Sequence, residues 1–397
     1  MITPLRVEPF LGNDSEGVPI LSSNWSEEDE KTSPTSAPIG VHSIQYTQRT
    51  AGGNKSNRKY DGIYLHHGFG ASSLSWLPVL PSLVERLGNG RSRGVAHDFP
   101  GFGLTDRPNV DHSQGLEQYS FENNVGIGLA LLQESLPSGD AEVVDASLDF
   151  DYRRKREARE HLDETSKSIA IFGHSMGSKA ALLMAHQCAS HPKLGLKPNL
   201  VVLVAPALEG VILPSRGGHV SKKSSRGGKS QSKSWFRQMA HKVWITWRKL
   251  FLDYPFQYGL RRLVCSNEGF WRKGLSLAWG DASRLTDSDI LRFQWPSIGK
   301  GWEEGLINFT RARLSSPFPS MNDGQLLREV SNLKGTRVII VYGTKDGVVR
   351  IDGAMAEKLK EEYPKVKIVG MEGLGHDPFE ENVDGFLKVL ENALKGE

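Results

Sequence analysis

The stretch SIAIFGHSMGSKAALLMAHQ, residues Ser168 to Gln187, passes from an apolar strand-like run into a helix-like run through one sharp corner. Ile169, Ala170, Ile171 and Phe172 read as a short buried strand, and Ala180 to Ala185 is built of strong helix formers without a breaker. Gly173 and Gly177 flank Ser175 two positions away on either side. They remove the side chains that would collide where strand and helix pack closely, and they permit a strained backbone at the serine. Such a corner lifts a hydroxyl above the edge of a sheet. A Gly-x-Ser-x-Gly alone is equally a glycine-bounded loop, so the rest of the chain must supply its partners.

The 397 residues, 38% of them hydrophobic, suffice for a sizeable core, and the length suits one α/β domain with insertions. No run of about 18 uncharged apolar residues appears, so no membrane-spanning helix is expected. The first forty residues contain SEEDEKTSPTSAPIG, too acidic for a typical transit peptide and too polar for a secretory signal; residues 1–40 read as a disordered tail. Cys188 and Cys265 lie far apart without metal-ligand spacing, which implies neither a disulfide framework nor a zinc site. A reducing intracellular compartment is expected, cytoplasmic or at a membrane surface, with organelle import left open. The net charge of +3 conceals an asymmetry: Val211 to Leu252 carries ten Lys or Arg and no acid, so the remainder nets −7.

From Val41 onward, strand-like and helix-like runs alternate. GIYLHHG and RGVAHDFPG are strands ending in glycine turns, a helix is expected near Gln118 to Leu136, and NLVVLVAPA, RVIIVYGTKD and VKIVG are further strands. Helices over Ile351 to Glu362 and Val383 to Leu394 complete the pattern. Alternation of this kind predicts a mostly parallel sheet covered on both faces, with function at the C-terminal ends of its strands. Two insertions interrupt it. Gly139 to Lys167 contains DYRRKREAREHLDE, read as a solvated surface helix. Residues 206–313, inserted after the sixth strand, hold seven of the nine tryptophans and are placed to form a helical cap. Segment 215–234 is Gly/Ser/Lys-rich and reads as flexible; its Gly-Lys-Ser has Lys223 where a phosphate-binding loop needs glycine, so such a loop is rejected. Residues 41–205 and 314–397 form the expected core.

A serine hydroxyl is a weak nucleophile that needs an imidazole base, and the base needs a carboxylate to fix its tautomer. Asp346 follows the strand RVIIVYG, and His376 follows the last strand in GMEGLGHDPFEE. Ser175, Asp346 and His376, in that order along the chain, each follow the C-terminal end of a strand and so lie on one rim of the sheet. Glu209, after the preceding strand, is the alternative acid. Acyl transfer also needs oxyanion donors: Met176 can give one backbone N–H, and Phe69 in HHGFG the second. His174 reads as a packing residue, and His66 and His67 as orienting residues of the loop rather than metal ligands.

Taken together, HHGFGASSLSW, AHDFPGFGLTDRP, GHSMGS, VYGTKDGVV and GLGHDPFEE resemble, in their order, the motifs of the α/β-hydrolase superfamily, in its lid-bearing branch of esterases and C–C bond hydrolases. The resemblance spans Val41 to Leu394. It implies that Ser175 is the nucleophile, Asp346 the acid and His376 the base, with Phe69 and Met176 in the oxyanion hole. It also implies that Asp98, Gly101 and Asp106 are structural. Epoxide hydrolases and haloalkane dehalogenases of this branch carry aspartate at the elbow, so a serine disfavours both reactions. His97 stands where the family varies.

The expected protein is a serine hydrolase of a lipophilic carboxylic ester or related acyl compound, needing no cofactor and no metal. The alternatives are a C–C bond or thioester hydrolase with the same triad, or a non-catalytic receptor on the same fold. WFRQMAHKVWITWRKLF, with the basic segment before it, suggests docking of 215–252 on an anionic membrane or else a lid over the site. No nucleic-acid-reading module accompanies these charges, so nucleic acid is not an expected partner.

Overall fold

The computed structural model describes residues 2–5, 39–48, 60–107, 116–136, 166–214, 254–265, 268–315 and 321–395. The expected surface helix in 139–165 and the basic segment with its amphipathic stretch, 215–252, lie outside the described residues. Among the described residues eight strands form one sheet: β1 Ile2–Leu5, β2 Ile39–Thr47, β3 Tyr60–His66, β4 Gly88–His97, β5 Lys167–His174, β6 Leu196–Val204, β7 Arg337–Gly343 and β8 Val366–Met371. Their spatial order is β1-β2-β4-β3-β5-β6-β7-β8. Strand β2 runs antiparallel to β1 and β4, and all pairs from β4 to β8 are parallel. The expectation of a structureless tail through residue 40 is corrected at both ends. Ile2–Leu5 pairs with Ile39–His42, and that pairing supplies the backbone partners that a free tail would leave to water.

Inner strands buried on both faces require apolar side chains on both, and the sequence provides them. Ile63 and Leu65 of β3 and Ala170 and Phe172 of β5 enter the core on one side, under α1 (Leu80–Leu87) and the last helix, α11 (Val383–Lys395). Tyr64, Ile169 and Ile171 enter the other. That side is covered by α2 (Phe121–Ser135), α3 (Gly177–Ser190), α8 (Asp323–Asn332) and α9 (Gly353–Glu362). Between β6 and β7 the chain forms the cap helices α4 Tyr254–Cys265, α5 Glu268–Ala278, α6 Asp287–Ser297 and α7 Trp302–Ser315. They have a core of their own around Trp271, Leu275, Trp279, Ile290, Phe293 and Trp302, which also takes in Ala71 from the loop after β3. These helices follow β6 in the chain, and α7 ends at Ser315. A four-residue helix, α10 Pro378–Glu381, precedes α11.

Strand β3 leads to β4 on one side, and the chain then returns to β5 on its other side. At that reversal the loops leaving β3 and β5 diverge above the sheet, leaving the crevice where open α/β sheets bind ligands.

Phe386 of α11 is fully buried and touches Phe379 at a ring separation of 6.1 Å. Phe386→Ala is expected to lower unfolding stability by about 3–5 kcal/mol in urea denaturation; a loss below about 1 kcal/mol contradicts this packing.

Candidate functional site

Ser175 stands between β5 and α3 with φ of 50°, in the left-handed region that a residue with a side chain seldom occupies. The backbone on either side holds it there. Its N–H donates to the Val204 carbonyl at 2.8 Å, and its own carbonyl accepts from Ser178 and Ala207, each at 3.1 Å. A side chain at Gly177 would stand 2.5 Å from the His66 carbonyl oxygen, and one at Gly173 would strike the Gly177 carbonyl. The glycines therefore let strand, helix and the loop after β3 approach closer than any other residue allows.

His376 and Asp346 come from the turns after β8 and β7. His376 Nδ1 lies 2.7 Å from Asp346 Oδ2, and the other carboxylate oxygen accepts the N–H groups of Val348 at 2.7 Å and Val349 at 2.8 Å. Three acceptor contacts orient that carboxylate, and it in turn sets the imidazole with Nδ1 protonated and Nε2 free to accept. Glu209 faces elsewhere: its carboxylate pairs with Arg313 at 2.5 Å. The acid beside His376 is therefore Asp346 and not Glu209. Burial pulls the His376 imidazole down, but the hydrogen bond to Asp346 and the charges of Asp377, Asp346 and Glu381 outweigh it and hold its pKa above the ordinary 6.5. Asp377, fully enclosed, is pushed up by burial to about 6, against the pull of His376.

The loop Gly68 to Gly70 closes the other side. A side chain at Gly68 would lie 3.2 Å from the Ser175 Cβ, so this loop rests directly on the corner. His67 fixes it: Nδ1–H donates to the Gly68 carbonyl at 2.8 Å while Nε2 accepts the Phe99 N–H at 3.0 Å. Both ring nitrogens are occupied by a neutral imidazole, and burial lowers the His67 pKa accordingly. Phe69 and Met176, the residues expected to give oxyanion donors, lie on this loop and at the start of α3. The Phe69 side chain is 54% exposed and leans toward Phe102 and Phe309, at ring separations of 5.7 and 6.5 Å, so an aromatic wall descends from α7 to the loop.

Several residues do more than the sequence reading assigned to them. His174, expected only to pack, donates from Nε2 to the His376 carbonyl at 3.0 Å and ties the serine corner to the histidine loop. His97 accepts from the Tyr64 hydroxyl and donates from Nε2 to Asn124 Oδ1 at 2.8 Å; burial drives its pKa down to about 3. Asp98 accepts the backbone N–H groups of Ser73 at 2.6 Å and Leu104 at 2.7 Å and pairs with His42 at 2.9 Å, which braces the PGFG turn. Gly101, with φ of 93°, leaves room for Gly305 of α7, where a side chain would meet the Gly305 carbonyl at 2.6 Å. Asp106 accepts the Gly40 N–H at 2.6 Å. All three make contacts within the fold. Trp76 stacks on Phe379 at 4.2 Å and belongs to the core. The acidic surroundings of His376 were missed, and the local signal that could have found them is the cluster of carboxylates in HDPFEE; nothing marked His42, Tyr64 or Asn124, whose partners lie far along the chain.

No group of three or more His, Cys, Asp or Glu side chains among the described residues is arranged to hold a metal ion. No described helix is long and apolar enough to cross a membrane.

The family model described as the alpha/beta hydrolase family matches residues 63–389, and the chain belongs to that family. Among solved structures, a serine hydrolase involved in carbazole degradation is 15% identical, with a TM-score of 0.51 over 90% of this chain and 96% of its own. The Cif epoxide hydrolase from Acinetobacter nosocomialis is 14% identical, with a TM-score of 0.51 over 89% of this chain and 85% of its own. At these identities the likeness is one of fold. A search of curated proteins found no match.

The electrostatics give a direct expectation for NMR titration. The His376 imidazole should titrate with a midpoint above 6.5 that falls in Asp346→Asn, while His66, His97 and His174, lowered chiefly by burial, titrate well below 6.5. A His376 midpoint below 6.5 contradicts the assignment of its neighbours.

Proposed function

We propose that the protein is a serine hydrolase that cleaves a lipophilic carboxylic ester or related acyl compound through an acyl-enzyme. The observation that carries this reading is the buried Asp346–His376 hydrogen bond, on the same rim as a serine held at positive φ. Ser175 Oγ attacks the acyl carbon while His376 Nε2 takes its proton. The imidazolium that forms is stabilised by Asp346 and returns the proton to the leaving group. Water, deprotonated by the same nitrogen, then releases the acid. The N–H groups of Phe69 and Met176 are assigned to the developing oxyanion, where one such donor contributes about 2.7–4 kcal/mol. No step calls for a cofactor or metal.

Two observations support an apolar substrate. Phe69, Phe102 and Phe309 form a continuous ring contact beside the corner, and the cap above it is aromatic. Serine rather than aspartate at the elbow speaks against the alkyl-ester route of epoxide opening. A C–C bond or thioester substrate would use the same groups, and substrate screening separates these from an oxygen ester.

Ser175→Ala is expected to abolish covalent labelling by a fluorophosphonate and nearly all hydrolysis of p-nitrophenyl esters, with the fold retained. Substantial turnover by a clean Ser175→Ala preparation rejects the mechanism. Labelling of the wild type without turnover of any ester, thioester or C–C substrate favours a receptor on this fold. Asp346→Asn should lower kcat by about 10⁴ through the wrong imidazole tautomer, and Glu209→Gln should not; the reverse pattern overturns the choice of acid.

A further inference from the structure

The loop carrying His376 is fastened to the cap by groups that bond breaking does not use. The His376 N–H donates to the Ala278 carbonyl, at the end of α5, at 2.5 Å. The Glu381 carboxylate accepts the Gly375 N–H on one oxygen at 2.7 Å and the Gly280 N–H, from the cap, on the other at 2.8 Å. Glu381 is only 6% exposed. The two backbones touch: a side chain at Gly375 would collide with Ala278, and one at Gly280 with Gly373. A second tie lies beside the first, where Arg292 of α6 bridges Asp289 at 2.9 Å and the enclosed Glu380.

A carboxylate can accept from two amides that belong to separate segments, and each bond is strengthened by its charge. A neutral amide offers one acceptor oxygen and places an NH₂ against the second N–H. Glu381 therefore does what its nearest isostere cannot: it joins the residue before His376 to the turn between α5 and the rest of the cap.

We propose that Glu381 is a positioning residue of the base, and that the cap segment Ala278 to Gly280 belongs to the frame of the active site rather than to a leaf that swings away from it. This rests on the reading of His376 as the base. Glu381 acts through Gly375 and Gly280, and its charge adds to those around the imidazole. The groups facing His376 are Asp346 from the turn after β7, Asp377 beside it in the chain, His174 from the end of β5 and Glu381 from α10, with the Arg292–Glu380 pair behind.

The test compares wild type, Glu381→Gln, Glu381→Asp and Ser175→Ala; the rates of the wild type and of the two Glu381 variants are divided by the fraction of chains that a fluorophosphonate labels, so misfolded molecules do not count, and Ser175→Ala is measured per total chain. Misplacing a catalytic group by about 1 Å costs about 10²-fold. Glu381→Gln is thus expected to lower kcat by about that factor while KM stays near wild type, and removing a negative charge that raises the His376 pKa should move the acid limb of the pH–rate profile to lower pH. Glu381→Asp keeps the charge but reaches only one N–H, so kcat falls partway and the acid limb stays. Wild-type kcat per labelled chain with an unmoved acid limb in Glu381→Gln overturns the proposal. A smaller labelled fraction with normal turnover per labelled chain also overturns it, since that is a purely structural role. If Glu381→Gln does not fold, Glu381→Asp decides alone, and normal turnover there is the contrary result. Retained labelling and turnover in Ser175→Ala would instead reject the serine reading itself, whatever Glu381 does.

Discussion

One backbone constraint underlies the site: Ser175 is held at a positive φ that costs about 1–3 kcal/mol and survives only because its surroundings leave no alternative. Its amide and carbonyl are both engaged, to Val204 on β6 and to Ser178 and Ala207. Gly173 and Gly177 permit the close approach that makes those bonds possible, and Gly68 brings the loop after β3 against the same point. Relax any of these, and the corner can turn the hydroxyl away from the rim. The strained serine, the glycines and the crossing of the chain between β3 and β5 are one structural decision seen at three scales.

Around that corner the protein sorts its histidines by environment. His66, His67, His97 and His174 are enclosed and kept neutral, and three of them serve as donors or acceptors that brace the loops. His376 is enclosed as well, yet it faces carboxylates from three directions, and these reverse the effect of burial. The same side chain is thus a rigid strut in one place and a titrating group in another. Its acidic surroundings also reach the cap through Glu381 and Glu380, so the electrostatics of His376 and the attachment of the cap share the same residues.

Much of this was legible in the chain. Alternating apolar runs announced the parallel sheet, and the strand-like runs that precede Ser175, Asp346 and His376 placed all three at strand ends. The sheet's first strand was not legible: Ile2–Leu5 has too few residues to show a period, and its pairing with β2 is a long-range event. The sequence favoured Asp346 over Glu209, although both follow strands; in the structure Glu209 pairs with Arg313 and Asp346 hydrogen-bonds His376. The tie between Glu381 and Gly280 joins residues 101 positions apart, and local pattern carries no trace of such a contact. His174 illustrates the same limit, since its ring bonds a carbonyl 202 positions later.

The most direct test of the account is to trap the covalent intermediate. Mixing the protein with an activated p-nitrophenyl ester, quenching with acid within the first turnover and mapping the adduct by mass spectrometry should find one acyl group per chain, on the peptide containing Ser175. An acyl group on another residue, or ester consumed with no adduct at any quench time under conditions where deacylation is slow, would contradict it.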